Sequence, residues 1–100
     1  MDQVEVFKAL SNSTRLQILF WLKNPAEHFP EQVGADIEKN GVCVGLIQKK
    51  SGLTQSTISA YLSILQRTGL LTATRVGQWT YYKRNEAAFK ALTDIITKNI

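Results

Sequence analysis

The sequence predicts a mostly α domain of about five helices with a small β-hairpin close to its end. Two features predict that class: apolar residues recur at three- and four-residue spacing through most of the chain, and residues 70–83 alone are rich in Thr, Val, Tyr and Trp. A third is punctuation by Gly, Pro and Asn, which cuts the chain into short pieces with no repeat and no low-complexity tract. One hundred residues enclose one modest core and are too few for a second, so residues 1–100 are expected to form one domain. Hydrophobic residues are 44% and charged residues 20% of the chain, the balance of a globular protein rather than a disordered one.

Val4, Phe7 and Leu10 fall at i, i+3 and i+6 and predict a short first helix that stops near Ser11. Asn12 is the expected N-cap of a second helix, with Leu16, Leu19 and Leu22 along one face and Ile18 beside them; Asn24-Pro25 ends it. Residues 26–41 hold Pro30, Gly34 and scattered Phe29, Val33 and Ile37, and predict an extended loop or ribbon. A short third helix is expected over 44–50. Ser51-Gly52-Leu53 then has the composition of a tight turn, and Thr54 caps a fourth helix over 55–68 that Gly69 terminates. Two helices joined by a short turn containing glycine have the pattern of a helix-turn-helix. The strand-like runs 70–76 and 79–83 flank Gly77-Gln78, a connection suited to a type II′ hairpin, with Arg75 and Gln78 at or near its tip. The whole reads as a winged helix-turn-helix. A final helix, capped by Asn85, carries Phe89, Leu92, Ile95, Ile96 and Ile100 at helical spacing. That stripe exceeds what so small a core needs. It is expected to form a homodimer interface of Leu92, Ile95, Ile96 and Ile100 with Val4 and Phe7, in competition with packing onto the first two helices.

Charge points to the partner. The formal net charge of +4 is modest, but residues 39–84 carry seven Lys and Arg and no Asp or Glu, while all eight acids lie outside. A one-signed field attracts polyanions and releases their condensed counterions, so nucleic acid is the leading partner, and with the helix-turn-helix pattern double-stranded DNA is expected. In the fourth helix Ile58, Leu62 and Leu65 form the expected buried stripe, and Gln55, Ser56, Thr57, Ser59, Ala60, Ser63 and Gln66 occupy the other faces. Such small, neutral, hydrogen-bonding side chains can approach base edges and phosphates without an acid to repel them. The expected DNA-binding residues are therefore Thr54, Gln55, Ser56, Thr57, Ser59 and Tyr61 on this helix, Lys49 and Lys50 before it, and Arg75 and Gln78 on the hairpin. A winged helix that binds another protein through Trp79, Tyr81 and Tyr82 is the alternative.

No apolar run approaches the roughly 18 residues of a membrane span, and Asp2 and Glu5 interrupt the first ten residues, so neither an anchor nor a signal peptide is expected. Cys43 is the only cysteine, which excludes an intrachain disulfide and makes a cytoplasmic location the expectation. No spacing groups Cys43 with a His or carboxylate for nucleophilic or acid-base work, so an enzyme is not expected.

The sequence resembles the ArsR-type repressors. The stretches carrying the resemblance are Ala9-Leu10-Ser11-Asn12-Ser13-Thr14-Arg15-Leu16-Gln17-Ile18-Leu19, Gly52-Leu53-Thr54-Gln55-Ser56-Thr57-Ile58-Ser59, Leu65-Gln66-Arg67-Thr68-Gly69-Leu70-Leu71 and Gly77-Gln78-Trp79-Thr80-Tyr81-Tyr82, in that order over nearly the whole chain. The resemblance implies a homodimeric winged-helix repressor of a palindromic operator that answers to a small effector. Departures qualify it. Where metal-sensing members carry two cysteines flanking one residue, this chain reads Cys43-Val44-Gly45, and the last helix has Asp94 but no histidine, the lone His28 lying in the loop. No metal and no cofactor are expected, since a tight site takes three or four such ligands. Ala60-Tyr61 stands where the family often has a basic residue and His. The loop 24–40, with Glu27, Glu31, Asp36 and Glu38, is longer than the resemblance implies. Cys43 itself has two readings: a small buried apolar residue, or a thiol activated by the following helix N-terminus and by Lys49 and Lys50 as a redox sensor.

Overall fold

In the computed structural model, which describes residues 2–100, the chain runs α1 (Gln3–Leu10), α2 (Ser13–Lys23), α3 (Pro25–His28), α4 (Ile37–Asn40), β1 (Val42–Cys43), α5 (Val44–Ser51), α6 (Gln55–Arg67), β2 (Leu71–Val76), β3 (Trp79–Arg84) and α7 (Glu86–Asn99). The five expected helices are α1, α2, α5, α6 and α7. Their starts are chemically marked: Asp2 accepts from the Glu5 N–H (3.2 Å), Asn12 from that of Arg15 (2.9 Å) and Thr54 from that of Thr57 (3.3 Å). At the end of α6, Gly69 takes φ 86° while the N–H groups of Leu70 and Gly69 reach back to the carbonyls of Leu65 and Gln66, each 3.0 Å. That pairing is a Schellman closure, and its apolar partners Leu65 and Leu70 are both fully buried.

Residues 26–41 are not one extended loop. Pro25 fixes φ at the first position of α3, and Asp36 accepts from the Glu38 and Lys39 N–H groups (2.8 and 3.0 Å) to start α4. Beyond α4, β1 adds a third strand to the hairpin, giving the antiparallel order β1-β3-β2 with Val42 opposite Tyr82 and Cys43 opposite Tyr81. Gly41 makes this approach sterically feasible: at φ 99° its α-carbon lies so close to the Tyr82 carbonyl that a Cβ would overlap it. The Gln32 side chain clamps the junction, donating to the Gly41 carbonyl (2.6 Å) and accepting from the Cys43 N–H (3.1 Å). At the hairpin tip only Gly77 has positive φ, 63°, which excludes type I′ and fits the expected type II′ turn.

The core gathers Val6 and Ala9 of α1, Ile18, Leu19 and Leu22 of α2, Val42, Ile47 of α5, Ile58, Leu62 and Leu65 of α6, Leu70, Leu71 and Leu92. Fully burying each large aliphatic side chain is worth about 1.5–3 kcal/mol, so the α6 stripe alone fixes which face of that helix turns outward. The expected α1 stripe is rotated, and one residue of the α2 stripe lies outside the core. In α1 the buried residues are Val6 and Ala9 while Val4 is 63% exposed, and in α2 Leu16 lies at the surface. Asn85 stands at the start of α7 but does not cap it with its side chain, which donates instead to the Gly69 carbonyl (3.0 Å). The rest of α7 packs lightly: Ala88 and Leu92 are its buried residues, and Ile96 and Ile100 are 50% and 83% exposed. The molecule measures 42 × 26 × 23 Å.

Candidate nucleic-acid interface

The turn between α5 and α6 is held by its own side chains. Gly52 closes α5 in the left-handed conformation (φ 72°), and the Ser51 hydroxyl donates to the Gln48 carbonyl (2.8 Å) while accepting from the Leu53 N–H (3.1 Å). Thr54 then begins α6 with a knot of hydroxyls, its Oγ1 lying 2.9 Å from that of Thr57 and 3.3 Å from that of Ser56. The first N–H groups of any helix lack an intrahelical acceptor. Here those of Gln55 and Ser56 belong to exposed residues, at the positive end of a thirteen-residue helix that contains no acid.

The outward face of α6 carries Gln55, Ser56, Ser59, Ala60, Ser63, Gln66 and Arg67, all exposed, with Thr57 half-buried at its edge. Ser56, Ala60, Ser63 and Arg67 follow one another at helical spacing, so the centre of the face is small and neutral and ends in a guanidinium. Tyr61 also makes a contact behind this face. Its half-buried ring lies 5.3 Å from the Arg15 guanidinium, which itself donates to the carbonyls of Ala9 (2.7 Å) and Lys8 (3.1 Å). Arg15 thereby ties the end of α1 to α2 and α6, a bracing role that its place in the sequence does not announce.

Lys49 and Lys50 near the end of α5 are both exposed, and Lys50 Nζ sits 5.3 Å from the Trp21 ring and 5.8 Å from that of Phe29. Those two rings meet edge-to-face at 6.2 Å, so α2 and the residue after α3 aim the Lys50 ammonium beside the turn. On the hairpin, Arg75 and Gln78 are both exposed and Arg75 Nε reaches the Gly77 carbonyl (3.3 Å). The other cations of the acid-free stretch are partly engaged: Arg84 pairs with Glu86 (2.9 Å) over the Phe89 ring, and Lys83 Nζ lies 3.4 Å from the Lys39 carbonyl. Burial raises the Tyr82 phenol above its ordinary value.

Cys43 is half-buried at the N-cap position of α5, where its side chain makes no capping bond. Among the described residues no three or more His, Cys, Asp or Glu side chains form a metal-binding group. Of the expected dimer residues, Val4, Ile96 and Ile100 are exposed and Phe7 and Ile95 half-buried, but Leu92 is 6% exposed within the chain's own core. The aromatic surface of the protein-binding alternative is not assembled, since Tyr81 is 1% exposed and Tyr82 half-buried. Sequence reasoning missed three features of this surface: Arg15, the Trp21–Phe29 pair and Arg67. The signal for Arg67 was its spacing from Ser56, Ala60 and Ser63; the other two arise from contacts between distant segments.

No family model matches the chain. Individual relatives do. The chain is 53% identical over 100 residues, all of both chains, to the uncharacterized HTH-type transcriptional regulator YbzH of Bacillus subtilis (strain 168). It superposes on the homodimeric winged helix-turn-helix DNA-binding domain (fragment 1-100) Mb0332 from Mycobacterium bovis, a possible ArsR-family transcriptional regulator, with TM-score 0.63 and 31% identity over 99% of this chain and 85% of that one. HlyU from Vibrio cholerae N16961 gives TM-score 0.65 and 27% identity over 93% and 85% of the two chains; the curated sequence of that name is a transcriptional activator, 28% identical over 93 residues.

Proposed function

The chain belongs to the ArsR-type winged helix-turn-helix transcriptional regulators, and from that premise we propose that it is a homodimeric repressor of a palindromic operator, in which α6 reads the major groove. The observation that carries the reading is the outward face of α6: exposed, free of acid, made of small hydrogen-bonding side chains, and anchored behind by the fully buried Ile58, Leu62 and Leu65. Thr54 and Ser56 take a phosphate at the helix start. Gln55 and Ser59, with Thr57 at the edge, meet base edges, Gln being able to pair bidentately with adenine. Lys49 and Lys50 flank the turn as phosphate contacts, and Arg75 and Gln78 reach the backbone from the wing. Tyr61 braces Arg15 rather than entering the groove. Cys43 serves as a structural residue.

The second copy supplies what this chain lacks: a cover for Val4, Phe7, Ile95, Ile96 and Ile100 on α1 and α7. Repression then follows from occupancy, because a dimer spread over two half-sites excludes other proteins from the same duplex. Binding titrations over a range of salt concentrations test the reading. Affinity that falls linearly in log–log form with added salt, with Gln55→Ala losing its effect on scrambled duplex, is expected. Affinity indifferent to salt, or a reporter promoter that loses rather than gains expression when the protein is removed, contradicts it.

A further inference from the structure

We propose that the tip of the β2–β3 hairpin is an apolar wedge for the DNA minor groove, with Trp79 as the inserted side chain and Val76 beside it. The inference rests on the duplex-binding reading above and adds a contact of different chemistry. Val76 and Trp79 are directly paired across the turn, so their side chains share one face of the sheet. They are 37% and 56% exposed. Tyr81, two residues further along β3 and therefore on the same face, is 1% exposed, with its hydroxyl 3.5 Å from the Val33 carbonyl. The segment that covers Tyr81 leaves the large side chain nearest the tip in solvent.

Charge and reach decide what covers it. Residues 71–84 contain Arg75, Lys83 and Arg84 and no Asp or Glu, and Arg75 is drawn toward the turn by its bond to the Gly77 carbonyl. Arg75 pairs with Thr80 on the next rung, so the tip carries an indole on one face and a guanidinium on the other, with no carboxylate among residues 71–84, which suits a polyanion whose groove walls are apolar sugars. The six-residue strands extend about 20 Å at roughly 3.3 Å per residue. Half a turn of duplex, about 17 Å, separates the major groove that α6 would occupy from the adjoining minor groove. Large apolar side chains are used as wedges in that groove elsewhere, partly unstacking a base step. Burying an indole releases no counterions, so its contribution does not depend on salt, unlike that of Arg75.

The chain has two tryptophans, so Trp21→Phe leaves Trp79 as the sole indole. Adding a mixed-sequence duplex of about 30 base pairs, roughly three helical turns, is expected to quench its emission and shift it to the blue. Trp79→Ala should weaken binding about tenfold at every salt concentration, giving a line parallel to the wild type, while Trp79→Phe recovers most of the loss. A polyamide ligand already seated in the minor groove should weaken the wild type and leave Trp79→Ala unaffected. Unchanged emission together with wild-type affinity of Trp79→Ala overturns the wedge while leaving duplex binding intact. A Trp79→Ala variant that sediments as a monomer also overturns it, because the patch is then a contact between copies. Wild-type protein that does not bind the duplex overturns both readings.

Discussion

Gln55, Ser59 and Arg75 are all exposed, and the proposed interface gives them different work that can be measured. Gln55→Ala or Ser59→Ala is expected to cost roughly 1–3 kcal/mol on the operator and little on scrambled duplex, because base-edge contacts carry the sequence information. Arg75→Ala should weaken every duplex alike and reduce the salt slope by about one unit, the signature of a lost phosphate contact. Titrations of the three variants on both duplexes separate these outcomes; equal losses on both for Gln55→Ala would remove base reading from α6. Thr54 acts on stability as well as binding. Its Oγ1 satisfies the Thr57 N–H, so Thr54→Ala should lower the unfolding free energy by about 1 kcal/mol, measured by urea denaturation. An unchanged midpoint would mean that the cap contributes nothing.

Which of these residues could be read from the sequence follows from how local their surroundings are. Thr54 and the α6 face were legible, because an N-cap and a helical stripe depend on neighbours within a few residues. Tyr61 was not. Its spacing matches Thr57 on the same helix, but its ring is claimed by Arg15, 46 positions earlier, and only the packing of α2 against α6 brings them together.

At the scale of elements, glycines test whether the boundaries have the stated causes. Gly69 holds φ 86° in the closure of α6, so Gly69→Ala is expected to cost about 1–2 kcal/mol. Gly45, inside α5, has no atom within 4 Å of where a Cβ would stand and lacks positive φ, so Gly45→Ala should gain a few tenths to about 0.5 kcal/mol. Thermal melts of the pair distinguish the cases; equal shifts would show that backbone conformation does not set these ends. The same scale explains why residues 26–41 resisted reading. Helices α3 and α4 are one turn each, too short for periodicity to register, and β1 becomes a strand through pairing with β3 about 40 residues later and through the Gln32 clamp. The hairpin was legible because its signal, a Gly at the first turn position between β-rich runs, is contiguous.

For the whole molecule, the decisive feature is the end of the α7 stripe, where Ile96 on the helix and Ile100 just past it are exposed to solvent. A carboxylate in such a stripe cannot be buried against a second copy without a large desolvation cost. Ile96→Glu is therefore expected to give folded monomers with weakened operator binding, and sedimentation that still finds dimers would move the interface elsewhere. The stripe was visible in the sequence, but not that Leu92 within it belongs to the core, since that depends on how the start of α7 packs on the rest of the chain.

In the proposed dimer two copies related by a two-fold axis present two α6 helices, and the operator is expected to match that symmetry. Selection of bound duplexes from a random pool, followed by sedimentation of the protein on the selected duplex, measures both at once. The expected result is an inverted repeat with half-site centres about 34 Å apart, or a multiple of that, carrying two chains per duplex. A pool with no enrichment, or an enriched site without two-fold symmetry that binds a single chain, would contradict it.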